Sequence, residues 1–192
     1  MHKQARTPIT LLGGCALAAL MACGGGGGTP VQPTPPANAT RLHYTNNPGA
    51  TSASWRLELD SGQDTSRLVL KLMAPAGLVA KGASVFLSCD GVRTSWVSAS
   101  AGTAFDLGSG VQIFRAKAGA TSADYQVGLY QKAGTATLGN NAVALLTLDL
   151  KSGVLPGSAS VGVTSGKTGI ILDGSAQNQP ISGILAGELT AQ

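Results

Sequence analysis

The residues that could do chemistry in this chain are few. There are three cysteines, two histidines and nine acidic residues among 192. Past the first 23 residues the imidazoles and thiols reduce to His43 and Cys89. A serine-based hydrolase would have to use His43 as its base, yet no Gly-x-Ser-x-Gly elbow is present. A lone imidazole beside a linker is the simpler reading of His43. Zinc needs three or four nitrogen, sulfur or carboxylate ligands, and these two residues do not supply them. Calcium needs clustered oxygens. Asp60 and Asp64 come closest, but without the Asp-x-Asp-x-Asp-Gly pattern they read as carboxylates of a turn. Paired glycosidase carboxylates are not ruled out by spacing, but the acids are sparse and sit at strand ends or turns. Cys89 follows Val85, Phe86 and Leu87, has no cation beside it in sequence and reads as a buried apolar filler. The expectation is a chain with no catalytic residue, no metal and no cofactor.

Binding groups are the alternative. Trp55 alternates with Leu57 and Leu59, and Tyr125 with Val127 and Leu129, so both aromatics belong to a core. Tyr130 falls on the opposite face from Tyr125, with Asp124, Gln126 and Lys132. Trp96 lies in Arg93-Thr94-Ser95-Trp96-Val97, where neither face is strongly apolar. Trp96 and Tyr130 are therefore the aromatics expected at the surface. Such side chains suit protein interfaces or sugar stacking.

The amino terminus has its own chemistry. Lys3 and Arg6 precede an apolar stretch over residues 9–22, which ends in Leu20-Met21-Ala22-Cys23. The stretch is shorter than the roughly 20 residues of a membrane span and has the length of a signal-peptide core. The last four residues resemble the lipobox of bacterial lipoproteins, and the chain resembles short lipoproteins of β-proteobacteria. That resemblance implies thioether lipidation of Cys23, cleavage after Ala22 and acylation of the new amino terminus. Each buried methylene contributes about 0.8 kcal/mol, so two or three acyl chains make a stable anchor. Gly24 to Gly28 and Pro30, Pro33, Pro35 and Pro36 follow, a flexible and then semi-extended tether over 23–40. The glycine run has no preceding strand and no following helix, which excludes a dinucleotide loop. Gly24 after the anchor, where no acidic residue stands, implies by the same resemblance an outer-membrane destination.

From residue 41 the chain is read as one domain, 41–192. Gly is frequent at 27 residues, charged residues are scarce at 11% and aromatics make up 4%. Apolar residues alternate in short runs at 55–60, 67–73, 84–89, 111–117, 124–131, 142–151, 160–164, 168–172 and 183–190. Asp60-Ser61-Gly62, Asp90-Gly91, Asn140-Asn141, Pro156-Gly157 and Asp173-Gly174 punctuate them. About nine strands with frequent turns predict an all-β antiparallel sandwich. The run at 142–150 could pass for a short buried helix, but its Thr147 and Asp149 alternation predicts a strand.

Arg67–Met73, Ser84–Ser100, Tyr125–Gly153 and Ser160–Gly174 together resemble the cohesin-like β-sandwich, over roughly residues 55–190. The resemblance implies a jelly-roll of about nine strands that binds another protein. The chain departs from that pattern at Cys89, where a tyrosine is more usual, and it carries no dockerin-like acidic calcium repeats. The formal charge of +4 includes Lys3 and Arg6, and the remaining cations are scattered, so a nucleic-acid partner has no electrostatic footprint. The function expected is that of a lipid-anchored envelope protein with a protein partner. A carbohydrate-binding module with a polysaccharide ligand is the alternative.

Overall fold

The computed structural model describes residues 34–107 and 112–192. Cys23 and the lipobox, with most of the 23–40 tether, lie outside the described residues. A compact unit runs from Pro36 to Gln192 and holds all the described strands. The chain is fastened to this unit as early as Ala39, which is buried and donates its N–H to the Val154 carbonyl at 2.7 Å. The next residue, Thr40, donates to the Gln192 carbonyl at 2.7 Å.

Among the described residues fourteen strands form, every pairing between them antiparallel. One sheet has the order β2 (Arg56–Ser61), β3 (Arg67–Met73), β9 (Ala142–Leu150) and β5 (Thr94–Ala101). The larger sheet has the order β13 (Asn178–Ile181), β12 (Gly169–Asp173), β4 (Val79–Cys89), β7 (Asp124–Gln131) and β6 (Gln112–Ala118). Two short strands, β8 (Ala136–Thr137) and β11 (Val161–Val163), also pair with β4. A third sheet joins β1 (Leu42–Thr45), β14 (Glu188–Ala191) and β10 (Gly157–Ala159).

Period-2 alternation dictates the core. Leu68, Leu70 and Leu72 on β3 are fully buried and lie in register with β9, whose Ala144, Leu146 and Leu148 are buried too. From the larger sheet come Val85, Leu87, Val127 and Leu129, and from the third Leu42, Tyr44 and Leu189, all in one cluster. Fully burying such an aliphatic side chain contributes about 1.5–3 kcal/mol. Gln131 is buried as well, and its polar atoms are satisfied. Its Nε2 donates to the Phe105 carbonyl at 3.1 Å and its Oε1 accepts from the Ala133 N–H at 3.1 Å. The all-β antiparallel sandwich is therefore present, Trp55 and Tyr125 sit in its core, and 142–150 is an inner strand. The nine apolar runs each overlap a strand. The other five are short or interrupted, and β5 is the instructive one.

On β5 the register slips between Trp96 and Ser98, a bulge centred on Val97. Before it, Thr94 and Trp96 point inward; after it, Ala99 and Ala101 pack against the core. A bulge inserts one unpaired residue and so inverts the facing of everything beyond it. Read as one unbroken alternation, the segment shows no apolar face. Trp96 is 5% exposed, opposite the buried Leu148. The expectation that it is a surface binding residue is corrected here: it is a core residue.

Candidate functional site

The chemistry-bearing residues do not converge. His43, on β1, places Nδ1 2.9 Å from Asp64 Oδ1 and 2.9 Å from Gln63 Nε2, in the turn between β2 and β3. Among the described residues no hydroxyl bonds its ring. Asp60 faces Lys71 at 3.6 Å, so the Asp60 and Asp64 carboxylates have different partners. No group of three or more His, Cys, Asp or Glu close enough to hold a metal occurs among the described residues.

Cys89 closes β4, free and buried. Burial raises its thiol above the ordinary 9.0, against smaller opposing effects from the Thr94 hydroxyl, the Trp96 backbone and Lys151. A thiol held protonated is a poor nucleophile. In a chain carrying Cys15→Ser and Cys23→Ser, a maleimide at neutral pH is expected to leave Cys89 unmodified. Labelling should begin as guanidinium unfolds the domain, which intact-mass measurements across a denaturant series would check. Rapid labelling of the native protein would show the strand end to be open.

The outward face of the larger sheet is where side chains meet in a pattern that could bind. Facing there is fixed by the inward neighbours: Ala83, Val85, Leu87, Tyr125, Val127, Leu129 and Ile171 are buried, so the residues alternating with them point out. The ladders then align rows across the strands. One row is Leu172, Gly82, Tyr130 and Ile113. The next, two residues along, is Ile170, Ser84, Gly128 and Arg115. A third runs through Phe86, Gln126 and Lys117, and is extended by Thr164, whose N–H donates to the Phe86 carbonyl at 3.0 Å.

The first two rows enclose an apolar groove of about 390 Å³. Ile113 and Tyr130 form one wall, Ile170 and Leu172 the other, over a floor of Gly82, Ser84 and Gly128. Gly82 is required there. A Cβ on it would press on the Leu129 carbonyl and lie 3.2 Å from Tyr130 Cδ2, so glycine lets the tyrosine ring approach the β4 backbone. Ile113 is 37% and Ile170 40% exposed, large apolar side chains left to water on an ordered sheet.

A second hollow of about 560 Å³ adjoins the third row. Phe86 and Tyr125 line it, together with Lys117, Lys167, Gln126 and Asp124. The Lys167 ammonium lies 5.9 Å from the centre of the Phe86 ring, within reach of a cation–π attraction. That ammonium also covers part of the ring face a sugar would need.

Of the two aromatics nominated from sequence, the structure places Tyr130 in this face and Trp96 in the core. Phe86, Ile113 and Ile170 were missed as surface candidates. Phe86 sits in a continuous apolar run, and the two isoleucines become neighbours of Tyr130 only through strand register.

No family model matches the chain, and no curated protein matches it. Two solved structures from Acetivibrio cellulolyticus are similar to it. One is the sixth cohesin of scaffoldin B in complex with a mutant dockerin, 16% identical, covering 68% of this chain and 96% of that one with a TM-score of 0.48. The other is a type II cohesin domain from the cellulosome, 12% identical, covering 71% and 93%, with a TM-score of 0.49.

Proposed function

We propose that the chain is a lipid-anchored protein of the bacterial cell envelope whose sandwich domain binds another protein through the outward face of the larger sheet. The observation that carries the binding half is the groove between Ile113, Tyr130, Ile170 and Leu172. Contiguous exposed apolar surface on an ordered fold is a mark of an interaction site. The sequence supports the anchoring half: Leu20-Met21-Ala22-Cys23 carries the lipid, Gly24 directs the product to the outer membrane, and the Gly- and Pro-rich tether holds the domain off the bilayer.

Both halves are testable on the full chain. Cys23→Ser is expected to move the protein from the membrane fraction to the soluble fraction and to abolish incorporation of labelled palmitate. For binding, the purified lipoprotein would be incubated with detergent-solubilised envelope, in parallel with insoluble polysaccharides. A protein retained by the native chain should be lost with Ile170→Asp, about thirtyfold in affinity for a residue central to an interface. Retention on polysaccharide alone, unaffected by Ile170→Asp, would overturn the protein-binding reading.

A further inference from the structure

The charges on this face are as one-sided as its apolar groove. Resting on the reading that the face binds protein, we propose that the partner segment is acidic as well as apolar. Its apolar side chains enter the groove beside Tyr130, and its carboxylates lie over Arg115, Lys117 and Lys167.

Strand register produces the arrangement. Arg115 stands in the row of Ile170 and Gly128, and Lys117 two residues further along β6, in the row of Phe86. Lys167 reaches the same row from the turn between β11 and β12, over the Phe86 ring. Two and four residues along a strand are about 7 and 13 Å. The cations therefore begin at the groove and extend about 13 Å from its Tyr130 row. Among the described residues none of the three cations is in an ion pair, and Arg115 Nη1 donates to its neighbour's carbonyl, that of Phe114, at 2.9 Å. Asp124 is the one carboxylate lining either hollow among the described residues. Its Oδ2 accepts from Thr121 Oγ1 at 3.2 Å. Elsewhere on the domain Arg56, Lys71, Arg67 and Arg93 each meet a carboxylate, Arg67 on Asp149 at 2.6 Å and Arg93 on Asp90 at 3.0 Å. Unmatched cations bordering an apolar groove attract acidic partners and repel basic ones, and they fix the direction in which a segment lies.

The test is a selection of random twelve-residue peptides displayed on phage against the immobilised full chain, followed by affinity measurements with synthetic copies of the enriched peptides. Enriched sequences should pair aromatic or aliphatic residues with Asp or Glu. Their binding should weaken about tenfold in the triple variant Arg115→Glu, Lys117→Glu, Lys167→Glu, and fall with added salt. Ile170→Asp should abolish it. Binders lost with Ile170→Asp but indifferent to the triple variant, with no acidic bias, would overturn the acidic partner and leave the face reading standing. Binders indifferent to both, or no binder at all, would overturn both. Purely acidic binders that ignore Ile170→Asp would overturn the joint apolar and acidic requirement.

Discussion

Trp96→Ala is expected to cost the domain about 3–5 kcal/mol, the range for removing a large aromatic from a packed core. The indole is 5% exposed, opposite Leu148, with its ring centre 6.3 Å from that of Tyr125 at a 36° tilt. Its removal leaves a void between two sheets that are held in place by their own ladders, so the site cannot collapse to fill it. Urea unfolding followed by far-ultraviolet circular dichroism would measure the loss. The indole Nε1 is buried without a hydrogen-bond partner among the described residues. Trp96→Phe should therefore recover most of the stability, because it keeps a ring against Tyr125 and removes a donor that the fold leaves unsatisfied. Tyr130→Ala should behave in the opposite way, costing little stability and weakening partner binding. A Trp96→Ala domain as stable as wild type but unable to bind would return Trp96 to the surface and contradict the inward register of β5.

Gly187→Ala is expected to destabilise by about 3–4 kcal/mol. The added Cβ would run into the Thr45 carbonyl oxygen and lie 2.9 Å from Tyr44 Cζ. Those atoms belong to a junction of three strands. The Gly187 N–H donates to the Tyr44 hydroxyl at 2.7 Å, and that hydroxyl donates to the Leu57 carbonyl at 3.1 Å, tying β14 and β1 to β2. Backbone cannot step aside here without parting the β1–β14 ladder, which begins at the pair Thr45 and Glu188. Tyr44→Phe, which removes the hydroxyl and keeps the ring, should cost about 1–3 kcal/mol, the cost of leaving buried polar groups unpaired. The difference between the two variants, read from denaturant midpoints, isolates the steric part. Equal losses would mean that the hydrogen bonds carry the whole effect and that the backbone yields.

Much of the sandwich was legible in the sequence because strand facing is a local property. Leu68, Leu70 and Leu72 announce a buried face by spacing alone, as do Trp55 with Leu57 and Tyr125 with Val127. Turn residues separate the runs for reasons equally local. Tyr130 was legible as an outward residue because β7 keeps its alternation from end to end. Trp96 was not, since one bulge residue at Val97 changes which side each neighbour faces, and no residue type at that point signals it.

The expected lipid anchor at Cys23 and the tether after it are statements about a linear motif, and a linear motif is what the sequence alone can supply. The sequence also determined that the domain is built of strands, which aromatics its unbroken strands bury, and that His43 and Cys89 have little catalytic company. The tertiary structure decided the rest. Ile113, Tyr130 and Ile170 are far apart along the chain and share one groove because β6, β7, β4 and β12 are neighbours in a particular register. Arg115, Lys117 and Lys167 gather beside it for the same reason. Register is set by the whole core settling at once, since a slip of one residue would turn every buried side chain of a strand to water. No segment read singly contains that information.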